Sequence, residues 1–237
     1  MKNQLDTNQT PTWCPGCGAY VVSAALKKTI SELDIKPRDV VVCYDIGCSG
    51  NMINILNVCG FETLHGRSLP VASGIKAVRP NLTVIAQDGD GGLLNEGLNH
   101  FIHAIQRNDS LVLIVNNNLV FGLTAGQQSS ATPRGAKARA VKEDNEMSPL
   151  SVVDLALASG AKFIARVPEW DMKLIEEVFK KAIRFKGLAV VEIIQPCKIW
   201  AKDFPRTTYK KITKPFKDRT KLIGRDNLAG ILFCDNN

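Results

Sequence analysis

Short continuous runs of apolar residues alternate along the chain with longer segments in which apolar residues recur every three or four positions. The continuous runs predict strands that are buried on both faces, and the longer segments predict amphipathic helices. The predicted strands are residues 40–43, 82–86, 111–115, 162–166 and 188–194. The predicted helices are residues 18–33, 69–78, 93–106, 151–159 and 171–184. This alternation predicts an α/β fold with a mostly parallel sheet and helices on both faces.

Polar and glycine-rich segments follow the first three predicted strands. They are residues 47–50 (Gly-Cys-Ser-Gly), residues 88–92 (Asp-Gly-Asp-Gly-Gly) and residues 116–118 (three asparagines). The carboxyl ends of parallel strands meet at one edge of a sheet, and ligands bind at that edge. We therefore expect these three segments to form one site.

The oxygen atoms expected at this edge suit a small divalent cation. Asp90 and the amide oxygen of Asn118 are predicted Mg²⁺ ligands, and the carbonyl of Val120 is a candidate third ligand. An ordinary turn would explain Gly-Asp-Gly alone, and Asp88 is an alternative to Asp90 as the ligand. Three glycines would let the backbone approach a diphosphate and donate N–H groups to it, namely Gly89, Gly91 and Gly92. The order Gly-Asp-Gly, helix, strand, Asn-Asn resembles the thiamine diphosphate motif.

The seven cysteines are an odd number in a chain with no apparent export signal, which argues against a disulfide framework. Cys14 and Cys17 form a Cys-Pro-Gly-Cys segment, which alone fits half a zinc site, a redox pair or half an iron–sulfur site. Cys48 and Cys197 fall in loops at strand ends. Four thiolates beside a thiamine diphosphate motif fit a [4Fe–4S] cluster. The remaining cysteines are predicted to be ordinary small apolar residues: Cys43, Cys59 and Cys234.

The net charge of +7 is concentrated in one segment. Ten Lys or Arg residues and two acidic residues lie between residues 198 and 225. The segment predicts a docking surface for an acidic partner, such as an electron carrier or a sister subunit, and a solvated tail is the equally weighted alternative. Nucleic acid is a weaker candidate, and none is expected as a partner. We predict a thiamine diphosphate and iron–sulfur domain at residues 1–197 and a basic extension at residues 198–237, packed on the same domain or on a partner subunit.

The sequence shows no sign of export or membrane insertion. No apolar run is long enough to span a membrane, and residues 1–12 are polar and lack a signal-peptide core. These features predict a cytoplasmic protein without membrane contact.

An ordered series of motifs covers about residues 12–212 and resembles one family, the β subunits of 2-oxoacid:ferredoxin oxidoreductases. The motifs are Trp-Cys-Pro-Gly-Cys-Gly from Trp13, Gly-Cys-Ser-Gly from Gly47, His65-Gly-Arg67, Leu-Pro-Val-Ala-Ser-Gly from Leu69, Gly-Asp-Gly from Gly89, Asn99-His100, Asn-x-x-Phe-Gly-Leu-Thr from Asn118 and Gln-Pro-Cys from Gln195. The resemblance implies a thiamine diphosphate-binding fold. It also implies oxidative decarboxylation of a 2-oxo acid, with coenzyme A accepting the acyl group and ferredoxin accepting electrons.

The resemblance also implies roles for individual residues. The implied cluster ligands are Cys14, Cys17, Cys48 and Cys197, and the implied Mg²⁺ ligands are Asp90, Asn118 and Val120. The implied cofactor contacts are Ile46, Gly47, Cys48, Ser49, His65, Gly66, Arg67, Gly89, Gly91, Gly92, Gly122, Leu123 and Thr124. No catalytic residue is assigned in this chain, because the glutamate that activates the cofactor is expected from a partner α subunit. Further γ and δ subunits are candidate partners.

Three departures from the family pattern bear on these expectations. Gly92 replaces the aspartate that relatives commonly have, and Ala125 replaces a lysine found in some relatives, which disfavours 2-oxoglutarate as substrate. The chain also ends sooner than family members usually do, which puts its contacts with a partner in doubt. Two alternative functions remain open: a non-redox thiamine diphosphate decarboxylase or synthase subunit, and a non-catalytic metal-binding assembly subunit.

Overall fold

A central eight-stranded sheet organises the computed structural model, which describes residues 4–138, 140, 143–204 and 207–235. The strands of this sheet and of a separate hairpin (β5 and β6) are β1 (Val40–Tyr44), β2 (Cys59–Glu62), β3 (Thr83–Gly89), β4 (Val112–Asn117), β5 (Val120–Phe121), β6 (Gln127–Gln128), β7 (Phe163–Pro168), β8 (Ala189–Ile194), β9 (Lys210–Lys211) and β10 (Leu228–Cys234). The order across the large sheet is β2-β1-β3-β4-β8-β7-β10-β9. Only the pair β7–β10 is antiparallel among its described strands.

Helices cover both faces of the sheet, as the sequence predicts. They are α1 (Ala19–Glu32), α2 (Ser68–Val78), α3 (Leu98–Arg107), α4 (Val152–Ala158) and α5 (Met172–Arg184). The apolar sides of α1 and α5 pack on one face, and those of α2, α3 and α4 pack on the other. Strands β1, β4, β7 and β8 are buried at every residue, which explains their continuous apolar sequences. Of the described helices, none has both the length and the hydrophobicity needed to cross a membrane.

The second half of the Gly-Asp-Gly segment folds differently from its prediction. The sequence predicts one helix over residues 93–106, whereas the structure has a π-helical turn at Gly92–Glu96 followed by α3. The N–H of Gly97 donates to the carbonyl of Gly92 at 2.8 Å, which closes this wider turn. The π-turn lies against the candidate site, a position in which such turns often occur.

Five strands were not predicted: the two-residue strands β5, β6 and β9, and the longer strands β2 and β10. The edge strand β2 is exposed at all four residues, so it lacks the buried apolar run that marks a strand. Strand β10 is mostly buried and joins the large sheet beside β7. Its sequence, Leu-Ala-Gly-Ile-Leu-Phe-Cys, is an apolar run that could have been predicted, but it lies in the stretch treated as a basic extension. The division of the chain at residue 198 remains a prediction.

A buried ion pair joins β7 and β8. Arg166 and Glu192 are register partners, both almost fully buried, and Nε of Arg166 donates to Oε2 of Glu192 at 2.6 Å. We expect Arg166→Met to lower the free energy of unfolding by about 3–5 kcal/mol, because Glu192 would remain buried without its partner. The double variant Arg166→Met/Glu192→Gln should recover most of this loss, since the introduced amide could still accept from Nδ2 of Asn117. Urea unfolding of the three proteins measures both effects, and equal losses in the single and double variants would contradict the explanation. Lys28→Met, which removes an ion pair with an exposed lysine, is the control and should change stability far less.

Candidate cofactor and cysteine site

A cavity of about 90 Å³ lies at the carboxyl ends of β1, β3 and β4. Because these strands are parallel neighbours, their terminal loops meet at one edge of the sheet. The lining residues are Ile46, Gly47, Cys48, Ser49, His65, Gly89, Asp90, Gly91, Gly92, Asn118, Val120, Phe121, Gly122, Leu123 and Thr124. All of them except Phe121 are sequence-predicted site residues. The structure thus brings the predicted segments together, and their individual cofactor contacts remain predictions.

Asp90 is held rigidly beside this cavity. Its carboxylate is fully buried, and Oδ1 accepts from the backbone N–H of Asn118 at 3.0 Å. Oδ2 accepts from the hydroxyl of Ser129. Burial raises the pKa of the Asp90 carboxyl to about 6. Ser129 was not predicted, because nothing in its Gly/Thr/Gln/Ser loop distinguishes it from its neighbours.

The other predicted Mg²⁺ ligands lie on the adjoining loop. Oδ1 of Asn118 accepts from the N–H of Val120 at 2.9 Å, and Leu119 between them has a φ of 70°, which bends the chain sharply. Among the described residues, no group of three His, Cys, Asp or Glu side chains could hold a metal ion. An ion at this cavity would therefore take its oxygens from one carboxylate, amide and carbonyl groups, and a bound phosphate, a donor set that suits Mg²⁺. The buried carboxylate of Asp90 fits such an ion, because a cation would offset the cost of burying its charge.

Two predicted contact residues have other partners. The N–H of Gly66 donates to Oδ1 of Asp45 at 2.6 Å, and Nη1 of Arg67 donates to the carbonyl of Glu96 at 2.6 Å. Neither residue lines the cavity. Arg67 therefore fastens its loop to the π-helical turn in this structure, and its contact with a diphosphate remains a prediction. His65 of the same motif does line the cavity, and its ring lies against that of Phe121, with the ring centroids 5.8 Å apart.

A buried pair of carboxyl groups behind the cavity was also not predicted. Asp45 follows β1 and Asp88 lies in β3, next to it in the sheet. Burial raises the pKa of both groups, and the neighbouring Asp45 charge raises that of Asp88 further. Asp88 therefore holds a proton more readily than an ordinary aspartate, and its Oδ2 accepts from the hydroxyl of Ser68. This arrangement makes Asp88 a poor alternative to Asp90 as a metal ligand.

Hydrogen bonds to backbone carbonyls bring the four predicted cluster cysteines into neighbouring loops. The indole N–H of Trp13 donates to the carbonyl of Cys48 at 2.6 Å, which joins the Cys14–Cys17 loop to the loop after β1. The N–H of Cys197 donates to the carbonyl of Asn118 at 3.1 Å. Burial raises the pKa of the Cys48 thiol to about 11, and the three other cysteines contribute through their charge when ionised. The hydrogen bonds of Trp13 and Cys197 thus place the four cysteines in adjoining loops.

The cysteine chemistry suits the predicted cubane cluster. A [4Fe–4S] cluster takes one thiolate at each of its four irons, and the four predicted ligands are all cysteines with free thiols. Two of the sulfurs already accept hydrogen bonds: Cys17 from Nε2 of Gln195 at 3.6 Å, and Cys197 from the N–H of Trp200 at 3.4 Å. Such bonds commonly surround metal-bound thiolates. Cys43 is buried in β1 and Cys59 is exposed on β2.

A larger cavity of about 820 Å³ opens beside β7 and β8, and none of the predicted site residues lines it. Its positive charges come from Arg166, Lys198 and Lys211, and they are matched by the same number of acidic side chains: Asp171, Glu192 and Asp226. The cavity therefore offers no net charge to an anionic ligand, and we assign it no function.

Comparison with known proteins identifies the family. The profile of the thiamine pyrophosphate enzymes, C-terminal TPP binding domain, matches residues 45–193. The 2-oxoglutarate synthase subunit KorB of Archaeoglobus fulgidus is 36% identical over 216 residues, which are 91% of this chain and 80% of that protein. The chain belongs to the β subunits of the 2-oxoacid:ferredoxin oxidoreductases. The 2-oxoacid:ferredoxin oxidoreductase subunit beta of Saccharolobus solfataricus is 43% identical over 187 residues, which are 78% of this chain and 61% of that protein.

A solved structure confirms the fold of this β-subunit family member. The 2-oxoglutarate:ferredoxin oxidoreductase from Magnetococcus marinus, with 2-oxoglutarate, coenzyme A and succinyl-CoA bound, superposes with a TM-score of 0.93 at 26% identity. The match covers 100% of this chain and 86% of that one. The predicted thiamine diphosphate-binding fold is thus confirmed. The chain spans about three fifths of the length of several curated β subunits that it matches.

Proposed function

We propose that this β subunit binds thiamine diphosphate and Mg²⁺ at the 90 Å³ cavity and a [4Fe–4S] cluster at its four cysteines, and that it acts in the coenzyme A-dependent oxidative decarboxylation of a 2-oxo acid. One observation carries the proposal. Cys48 lines the cavity, and the indole of Trp13 joins the loop of Cys48 to the loop that holds Cys14 and Cys17. A single loop therefore connects the cofactor site to the proposed electron acceptor, an arrangement that a non-redox decarboxylase would not need.

The residues of the cavity have separate roles in this proposal. Asp90, Asn118 and Val120 hold Mg²⁺, and the backbone of the glycine-rich turn binds the diphosphate. When bound, thiamine diphosphate supplies the electron sink that allows a 2-oxo acid to lose CO₂. Among the described residues that line the cavity, Asp90 is the only carboxylate. The glutamate that activates the cofactor therefore comes from a partner α subunit in our proposal.

The proposed assembly follows from the same chemistry. Conversion of the substrate to CO₂ and an acyl-coenzyme A would release two electrons, and a cluster held by Cys14, Cys17, Cys48 and Cys197 would supply a one-electron carrier between the cofactor site and ferredoxin. Further γ and δ subunits remain candidate partners, and the cytoplasmic location remains a prediction. The identity of the 2-oxo acid is open. The A. fulgidus and M. marinus relatives are named for 2-oxoglutarate, whereas Ala125 in this chain disfavours that substrate.

The iron content of the anaerobically purified protein tests this proposal. We expect about four iron and four acid-labile sulfide atoms per chain, with a large loss of both in Cys14→Ser. The matched control is Cys59→Ser, which replaces another exposed cysteine outside the group and should leave the iron content unchanged. Zinc in place of iron, or no iron after reconstitution with the α subunit, would contradict the proposal.

Activity of the complex with the α subunit separates the alternatives. The proposed enzyme should reduce ferredoxin only when both coenzyme A and a 2-oxo acid are present. A non-redox decarboxylase would release CO₂ without an electron acceptor. An assembly subunit would bind metal but would show no Mg²⁺-dependent binding of thiamine diphosphate.

A further inference from the structure

Three buried side-chain amides form a hydrogen-bonded row across the sheet edge and end at Cys17. Nε2 of Gln87 donates to Oδ1 of Asn116 at 3.0 Å, and Nδ2 of Asn116 donates to Oε1 of Gln195 at 2.8 Å. Nε2 of Gln195 then donates to the sulfur of Cys17 at 3.6 Å. The exposed fractions of the three amide residues are 0%, 2% and 5%. The row therefore lies in the interior and leads to one proposed cluster ligand.

The row has a direction. Asn116 and Gln195 each accept through their oxygen from the amide nearer β3, and all three carboxamides donate through their nitrogen towards Cys17, so the three dipoles add. Hydrogen bonds that are aligned in a low-dielectric interior polarise and strengthen one another. The sheet fixes the spacing, because Gln87 lies in β3, Asn116 lies in β4, and the N–H of Gln195 donates to the carbonyl of Asn117 at 2.8 Å.

A purely structural role does not explain why the row of amides ends at a sulfur atom. A neutral thiol is a weak hydrogen-bond acceptor, so burying a strong amide donor against it satisfies that donor poorly. A metal-bound thiolate carries negative charge and accepts well. The Gln195 donor thus matches Cys17 in its cluster-bound form. The cluster becomes more negative when it gains an electron, so a donor at its sulfur stabilises the reduced state and raises the reduction potential.

We propose that Gln195 is a positioning residue that raises the reduction potential of the cluster through its N–H···S bond to Cys17, with Asn116 and Gln87 holding its carboxamide in the donating orientation. This inference rests on the proposed function, because it requires the cluster. It adds a role for three residues that bind neither substrate nor metal. Their contribution is to the driving force for electron transfer from the cofactor site.

A redox titration of the holoenzyme tests the proposal, with the cluster followed by electron paramagnetic resonance. Gln195→Met keeps the approximate length of the side chain and removes the donor, so we expect the midpoint potential to shift to a more negative value at unchanged iron content. The matched control is Gln106→Met on the exposed surface of α3, which should leave the potential unchanged. A Gln195→Met cluster with the wild-type potential would overturn the inference.

Two further outcomes are also decisive. If Gln195→Met fails to assemble a cluster, the titration is repeated with Gln195→Glu. The introduced carboxylate can still accept from Nδ2 of Asn116 but cannot donate to Cys17. An unchanged potential in that variant would overturn the inference equally. If the wild-type protein holds no iron–sulfur cluster, the proposed function fails, and this inference fails with it. A wild-type cluster whose potential does not respond to Gln195 would instead refute only the inference.

Discussion

Asp90→Asn is expected to weaken Mg²⁺-dependent binding of thiamine diphosphate by at least about 100-fold, since even residues that only support metal ligands typically contribute 10- to 100-fold. The amide retains an oxygen for the N–H of Asn118, so the loop should keep its shape. What is lost is the negative charge that the cation requires. The measurement is isothermal titration of the cofactor at saturating Mg²⁺.

The same substitution should leave the cofactor-free chain at least as stable as the wild type. Burial raises the pKa of Asp90 to about 6, so keeping this carboxylate ionised at pH 7 costs about 3 kcal/mol relative to an ordinary aspartate. The raised pKa means that the folded chain binds a proton more readily than the unfolded chain. Its stability should therefore fall as the pH rises from about 4, the ordinary aspartate value, to about 6, and Asp90→Asn should remove that fall. Loss of cofactor binding with retained stability would separate a metal ligand from a structural residue.

Asp88→Asn is the matched control for Asp90→Asn. Asp88 is buried in the same segment but does not line the cavity, and its raised pKa favours the protonated form, which asparagine resembles. Its oxygen can still accept from the hydroxyl of Ser68. We expect this variant to bind the cofactor with nearly wild-type affinity. The opposite result, with Asp88→Asn inactive and Asp90→Asn unaffected, would transfer the metal role to Asp88.

The location of the site could be predicted from sequence because parallel strands impose it. Once residues 82–86 and 111–115 are recognised as neighbouring parallel strands, the polar residues that follow them must meet at one edge. The structure extends β3 to Gly89 and β4 to Asn117, so the first polar residues of both segments belong to the sheet itself. The cysteines were predictable for the same reason, since Cys48 and Cys197 follow β1 and β8.

The contacts within the site could not be predicted, because they depend on side-chain direction and on tertiary proximity. Gln87, Asn116 and Gln195 all lie at strand ends, yet nothing in their sequence neighbourhoods shows that their amides face one another. The Asp45–Asp88 pair likewise arises from the alignment of β1 with β3. The bond from Arg67 to the carbonyl of Glu96 was equally hidden, because it depends on the π-helical turn that the sequence pattern did not predict.

The glycine at position 92 is explained by Asp45. A Cβ atom added to Gly92 would collide with Oδ2 of Asp45 and would lie 2.7 Å from its Cγ. The Asp45 carboxylate thus fills the space that a side chain at position 92 would enter. Gly92 therefore leaves room for the buried carboxylate of Asp45 at the end of β1.

Gly92→Asp is accordingly expected to lower the free energy of unfolding by about 3–5 kcal/mol, because it both overpacks the site and places a second carboxylate against a buried one. Gly74→Ala in α2 is the control for adding a side chain, since nothing lies within 4 Å of its Cβ, and it should be neutral or stabilising. The double variant Asp45→Gly/Gly92→Asp should recover much of the loss, with a coupling energy of about 0.5–3 kcal/mol in a double-mutant cycle. Strictly additive losses would show that the two positions do not compete for one space, and the steric explanation of Gly92 would then be wrong.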